Sequence, residues 1–106
     1  SAASDVYKRQ AIFCMNDLMA GGCYDWADES GIKIPQEISV AGYDNRELSS
    51  YYKPPLSTTE LPLHDIGYRA AEVMISLVEK KSGETAEPQV YKVPCKQLIR
   101  QSIKTL

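Results

Sequence analysis

Two short apolar runs, separated by one amphipathic stretch, constrain the fold of this chain more than any other feature. Residues 11–15 read Ala-Ile-Phe-Cys-Met, and residues 38–42 read Ile-Ser-Val-Ala-Gly. Continuous apolar runs of this length are typical of strands that are buried on both faces. A right-handed crossover between the two runs would make them parallel neighbours. The sequence therefore predicts an α/β fold with a mostly parallel sheet flanked by helices.

Two stretches have the apolar spacing of an amphipathic helix. The first runs from Leu18 to Ser30, where Trp26 is expected to lie in the core and Gly31 to end the helix. Asn16 and Asp17 precede it, and of these two N-cap residues we expect Asp17 to be the cap. The second helix is predicted over residues 63–81, with Gly83 as its terminator.

The remaining elements are short. We expect a helical turn near Glu47, and strands at Ser57–Leu61, Gln89–Val93 and Gln97–Arg100, with a polar loop over residues 82–88. Residues 1–10 are polar, mixed and without a period, which indicates a disordered or extraneous leader. Residues 11–106 form the second predicted region, a single domain.

Composition excludes several classes of protein. The chain has 106 residues and a net charge of −2, and its Lys and Arg residues form no basic stripe that would favour a nucleic-acid partner. Its apolar runs are too short to span a membrane, and residues 1–10 lack the apolar segment of a signal peptide. Cys14, Cys23 and Cys95 have no metal-ligand spacing, so we expect buried, reduced thiols and a reducing compartment.

Polar residues follow both predicted parallel strands. Asn16 and Asp17 come after the first strand, and Asp44 comes two residues after Gly42, which ends the second. In open parallel sheets, ligands bind beyond the carboxyl ends of the strands. Carboxylate and amide groups there could accept and donate hydrogen bonds to a hydroxyl-rich molecule. Turn stabilisation by Asp44 and helix capping by Asn16 are the structural alternatives.

Nothing in the sequence predicts catalysis. It contains no nucleophile elbow, no His-Glu-x-x-His motif, no phosphate-binding glycine loop and no Cys-x-x-Cys motif. His64 is the single histidine and is expected to be a solvated surface residue. We therefore predict no catalytic residues, no metal site and no cofactor, and a small α/β enzyme is the most remote interpretation.

Four blocks of the sequence resemble the LacI/GalR family of bacterial transcription regulators. The blocks are residues 11–22, 31–45, 54–59 and 98–102, and they stand in the order and at the spacing of that family. The resemblance implies a periplasmic-binding-protein-like type I fold, Rossmann-like in topology, whose two α/β lobes close on a sugar or purine. It also implies that this chain corresponds to the C-terminal part of the effector-binding domain, without the DNA-binding headpiece and most of the first lobe.

The resemblance also assigns residues. It implies that Asp44 contacts the effector, and that Leu63 occupies a position where relatives place polar or aromatic effector-facing groups, near a crossover between the lobes. Asn16 and Asp17 complete the predicted ligand-binding set. Four further residues are implied to lie at the interface of a homodimer, with ordinary half-buried packing as the alternative for the tyrosines: Gly21, Tyr24, Asp25 and Tyr52.

The predicted function is therefore effector sensing and dimerisation within a cytoplasmic LacI-type regulator. Its expected partners are a sugar or purine-like molecule, a second copy of the chain, and DNA only through a headpiece absent from this sequence. No membrane partner is expected. The alternative is a sugar-binding protein of a transport system, which has the same fold.

Overall fold

The computed structural model describes residues 10–80 and 89–105, which belong to two compact units. The first unit comprises residues 10–61 and 96–105, and the second comprises residues 62–80 and 89–95. The chain thus passes between units at Leu61–Pro62 and again at Cys95–Lys96. Within the described residues, no helix has both the length and the apolar character needed to cross a membrane. Residues 1–9 of the predicted leader lie outside the described part of the chain.

A parallel strand pair organises the first unit. Strand β1 (Ala11–Phe13) pairs with β2 (Ser39–Ala41) in parallel, with Ile12 opposite Val40. The pairing continues beyond the strands, because the N–H of Cys14 donates to the carbonyl of Ala41 at 2.8 Å. The predicted parallel arrangement is confirmed, although each strand is shorter than its apolar run.

Helix α1 (Asp17–Ser30) connects the two parallel strands. The Asn16 side chain accepts a hydrogen bond from the N–H of Met19 at 2.8 Å, so Asn16 is the cap and the expectation for Asp17 was wrong. Gly31 ends the helix with φ of 70°, as predicted. Trp26 is 48% exposed, which contradicts its predicted core position. Ala20 and Ala27 lie on the buried face of α1 instead.

Two further strands, of three residues each, complete this unit. A 3-10 turn (Glu47–Tyr51) lies near the predicted position and precedes β3 (Thr58–Glu60). β3 pairs with β4 (Lys96–Leu98) in the antiparallel direction, unlike the parallel pair of β1 and β2. Just before β3, Ser57 forms a parallel bridge with Ala41 of β2. The β3 segment therefore continues the parallel arrangement, and β4 adds one antiparallel edge.

The core of the first unit is small and contains both apolar and polar residues. Its buried apolar cluster lies between α1 and the sheet, and consists of Cys14, Ala20, Ile38, Val40 and Leu56. Ser102 is fully buried; its hydroxyl donates to the Val40 carbonyl and accepts from the N–H of Ser57 at 2.8 Å. Such buried polar groups are tolerated because each finds a partner. The C-terminal segment is thereby tied to β2 and to the start of β3.

The second unit is built on helix α2 (Leu63–Val78), which begins where the sequence predicts and ends before Lys81. The predicted terminator Gly83 and the loop over residues 82–88 lie outside the described residues. The predicted strand at Gln89–Val93 is wrong, because the described residues of that segment form no strand. Tyr91 instead lies against α2, with its ring centre 4.8 Å from the Arg69 guanidinium carbon.

Candidate ligand-binding site at the strand ends

The carboxylate of Asp17 connects three segments at the carboxyl ends of the parallel strands. The residue is completely buried. Its Oδ2 accepts the backbone N–H of Arg46 at 2.7 Å, and its Oδ1 accepts the hydroxyl of Thr58 at 2.7 Å. The backbone N–H of Asp17 donates to the carbonyl of Tyr43 at 3.1 Å. The start of α1 is thus linked to the loop after β2 and to β3.

Gly42 is required by this arrangement. A Cβ atom at residue 42 would overlap Oδ1 of Asp17 and would lie 2.9 Å from a methyl carbon of Leu56. Only glycine leaves space for the buried carboxylate at the end of β2. In the Gly42-Tyr43-Asp44 sequence, close packing therefore requires the glycine, and Asp44 supplies a polar group two residues later.

The backbone of the loop after β2 is strained. Asp44 has φ of 113° and Asn45 has φ of 53°, both in the region that favours glycine. Backbone hydrogen bonds hold them there: the Asp44 N–H donates to the Thr59 carbonyl at 2.9 Å, and the Asn45 N–H donates to the Thr58 hydroxyl at 3.3 Å. Strained non-glycine residues cluster at functional sites, where the surrounding structure enforces the conformation.

The Asp44 side chain is partly exposed at this edge. Its carboxylate has a relative exposure of 29%, and Oδ2 accepts from Nε of Arg46 at 3.2 Å. The alternative prediction was that Asp44 stabilises its own loop. This ion pair supports that role for one of the two carboxylate oxygens, Oδ2. An exposed ion pair of this kind contributes little to stability.

Arg100 contacts the loop after β2 and was not singled out from the sequence. Its Nη2 donates to Oδ1 of Asn45 at 3.2 Å. Its Nη1 donates to the hydroxyl of Ser49 and to the carbonyl of Leu56, both at 2.9 Å. The guanidinium thus holds the strained loop against the segment before β3. The available signal was an arginine directly after the apolar pair Leu98-Ile99, because a charge at the end of a strand needs a partner if it is buried.

Asn16 is half-buried beside Asp17 and has a confirmed capping role. The capping bond uses only its amide oxygen, so the NH₂ group remains available as a donor. Capping and ligand contact are therefore compatible for this residue. Asp17 differs, because both of its carboxylate oxygens are already used within the chain.

Leu63 and His64 belong to the second unit. Leu63 is the first residue of α2 and is 68% exposed, and its predicted effector contact stays a prediction. The His64 side chain is 89% exposed, as expected for a surface residue. Among the described residues, no three His, Cys, Asp or Glu side chains are grouped so that they could hold a metal ion.

The four predicted dimer residues line one open groove of about 570 Å³ on the first unit. The rings of Tyr24 and Tyr52 lie 4.9 Å apart. Their hydroxyls donate within the chain, Tyr24 to the Pro54 carbonyl at 2.6 Å and Tyr52 to the Asp17 carbonyl at 2.9 Å. Packing within the chain therefore explains both rings, and the groove leaves Asp25 exposed beside them.

Gly21 leaves the space that the Tyr52 side chain occupies. A Cβ at this position would lie 2.7 Å from the Tyr52 hydroxyl, whereas one at Gly22 would meet no atom within 4 Å. Burial raises the pKa of Tyr24 to about 12, and burial with the charges of Asp17 and Asp25 raises the pKa of Tyr52. Both hydroxyls consequently remain protonated donors at neutral pH.

Comparison with known proteins agrees with this geometry. A family of periplasmic binding protein-like domains matches residues 2–103. The HTH-type transcriptional repressor PurR of Vibrio atlanticus is 40% identical over 96 residues, which are 91% of this chain and 28% of that repressor. The chain thus spans little more than a quarter of the curated relatives that it matches.

Solved structures give the same result. A LacI family regulator from Enterococcus faecium with bound ribose superimposes with a TM-score of 0.71 at 28% identity, covering 96% of this chain and 37% of that one. The lac repressor dimer bound to operator and anti-inducer superimposes with a TM-score of 0.74 at 29% identity, covering 89% and 32%. The chain belongs to the family of periplasmic-binding-protein-like domains, and its resemblance to the effector-binding domain of LacI/GalR regulators is confirmed.

Proposed function

We propose that this chain is part of the effector-sensing and dimerisation region of a LacI-type transcription regulator. The observation that carries the proposal is the Asp44 carboxylate, held partly exposed at the end of β2 on a strained backbone. The repressor and regulator relatives support sensing over catalysis. As a regulator of transcription, the complete protein would act in the cytoplasm.

The proposed ligand is a small hydroxyl-bearing molecule, a sugar or a purine-like compound. Asp44 would accept hydrogen bonds from ligand hydroxyl or ring N–H groups, in charge-assisted bonds that are about twice as strong as neutral ones. The NH₂ group of Asn16 would donate to a ligand oxygen. Asp17 and Arg100 would position the loop without touching the ligand.

The site is connected to the proposed dimer face through α1. Asn16 caps the helix that carries Gly21, Tyr24 and Asp25, and the Tyr52 hydroxyl binds the carbonyl of Asp17. A ligand that binds one arrangement of this helix more tightly than another would shift the dimer toward the arrangement that it binds more tightly. In the complete protein, that shift would change the affinity of the headpiece for DNA.

Ligand binding is tested by calorimetric titration of the complete protein with ribose and, separately, with a purine base. We expect one of these to bind, and Asp44→Ala to weaken that affinity at least tenfold. Glu29→Ala is the matched control, because Glu29 is an exposed carboxylate on α1 outside the groove lining. Equal affinity of the Asp44→Ala and unchanged proteins would remove Asp44 from the site.

Dimerisation is tested separately by sedimentation. Asp25→Lys reverses the charge of an exposed residue in the groove. This variant should shift the complete protein toward monomer. Glu29→Lys makes the same charge change on an exposed residue of α1 outside the groove lining and should leave the dimer intact. If both variants sediment as the unchanged protein does, this groove is not the interface.

A further inference from the structure

Two thiols lie next to each other at the junction of β1 and α1. The Sγ atoms of Cys14 and Cys23 are 3.4 Å apart, although the residues are nine positions apart in sequence. Cys14 follows β1 and is 6% exposed, whereas Cys23 lies on α1 and is half-buried. Cys14 belongs to the buried apolar cluster of the first unit, and Cys23 packs against that cluster. The function proposed above uses neither thiol.

We propose that Cys14 and Cys23 form an oxidisable dithiol, which a peroxide converts into an intramolecular disulfide. The sulfur atoms must approach by only about 1.4 Å to reach the bond length of about 2.05 Å. Gly22 directly precedes Cys23, and a Cβ at Gly22 would meet no atom within 4 Å. A glycine next to Cys23 restricts the helix backbone less than any other residue would.

The order of the two chemical steps follows from exposure. Burial, together with the adjacent Cys23 thiol, raises the pKa of Cys14 to about 12, so Cys14 is a poor initial nucleophile. The sulfur of Cys23 attacks the peroxide, an S–O bond forms, the O–O bond breaks, and one water leaves with the thiol proton. The Cys14 sulfur then attacks the sulfenic acid, an S–S bond forms, and the hydroxyl leaves as a second water. Two thiols are oxidised by two electrons and one peroxide is reduced.

The disulfide would close a loop that contains the start of the candidate site. Residues 14–23 include the helix cap Asn16 and the buried Asp17. Cross-linking the end of β1 to α1 would hold these residues against the sheet. The proposal concerns the thiol chemistry and is independent of the ligand.

The sequence offers a direct test by peptide mapping. Trypsin cleaves after Arg9 and Lys33, so a single peptide, residues 10–33, contains Cys14 and Cys23 but not Cys95. A second cleavage before Asp17 places the two cysteines on separate fragments. The complete protein is treated with hydrogen peroxide, remaining thiols are alkylated, and the digest is analysed by mass spectrometry. We expect the 10–33 peptide to lose two hydrogen atoms and its fragments to stay joined until dithiothreitol is added.

Matched variants and an internal control complete the test. Cys95→Ser should leave the cross-link unchanged, and Cys23→Ser should abolish it and leave Cys14 alkylated. The exposed Cys95 reports that the oxidant is active. The proposal is overturned if Cys95 is oxidised while the 10–33 peptide keeps both thiols. It is equally overturned if Cys23 is recovered as a sulfinic acid or is joined to Cys95.

Discussion

The buried carboxylate of Asp17 accepts a hydrogen bond from the backbone N–H of Arg46 at 2.7 Å, across 29 positions of sequence. Asp17 is also the first residue of α1, where a negative charge is favoured by the helix dipole. One side chain therefore stabilises the helix start and the loop that carries Asp44. The stability of the unit and the geometry of the candidate site depend on the same contact.

Asp17→Ala should destabilise the protein strongly. The substitution leaves the part-buried Arg46 N–H and the buried Thr58 hydroxyl without their acceptor, and a buried donor without a partner costs about 1–3 kcal/mol. We expect the free energy of unfolding, measured with urea, to fall by about 2–4 kcal/mol. Glu29→Ala removes an exposed carboxylate from the same helix, outside the groove lining, and should change the free energy of unfolding by less than about 0.5 kcal/mol. Similar losses in both variants would contradict the role of Asp17.

Gly42→Ala and Gly22→Ala should have opposite effects. A methyl group at residue 42 overlaps the Asp17 carboxylate and crowds Leu56, so we expect a loss of about 2 kcal/mol or more. A methyl group at residue 22 meets no neighbouring atom, and alanine favours a helix interior by about 0.5–1 kcal/mol. Thermal unfolding of the two variants side by side measures the contrast. Stabilisation by Gly42→Ala would refute the packing described for the end of β2.

Two substitutions of Asp44 should separate backbone strain from ligand binding. Asp44→Gly relieves a left-handed φ of 113° and should raise the free energy of unfolding by about 1 kcal/mol. Asp44→Ala keeps the strain and should not stabilise. Both variants lack the carboxylate and should lose effector affinity to a similar degree. A glycine variant that binds as well as the unchanged protein would show that the carboxylate is not a ligand contact.

Tyr24→Phe should alter how stability depends on alkaline pH. Burial raises the pKa of Tyr24 from its ordinary value of 10 to about 12, so the folded protein retains the hydroxyl proton more tightly than the unfolded chain. The stabilising contribution is present below pH 10 and is lost as the pH rises through about 12. At neutral pH the variant also loses the hydrogen bond to Pro54, at a cost of about 1 kcal/mol.

Urea unfolding at a series of pH values measures this dependence. The difference in unfolding free energy between the unchanged protein and Tyr24→Phe should be constant up to pH 10 and then decrease. A difference that does not change through pH 12 would show that Tyr24 does not titrate in this way.

Much of the first unit follows from local sequence patterns. The apolar runs at residues 11–15 and 38–42 predict β1, β2 and their parallel pairing, and Gly31 predicts the end of α1. Two predictions from local patterns were wrong. Trp26 has the spacing of a core residue, yet the alanines of α1 occupy the buried face. Residues 89–93 alternate like a strand, but Tyr91 lies against α2 instead.

The sequence by itself determined the approximate positions of β1, β2 and both helices, because period and glycine stops act over a few neighbouring residues. Tertiary structure alone decided that Asn16 caps α1 while Asp17 is buried, since the partners of Asp17 are 29 and 41 positions away. It also assigned Arg100 to the loop after β2, 55 positions from Asn45. A buried charge is placed by the donors that surround it, and those donors are brought together only when the chain has folded.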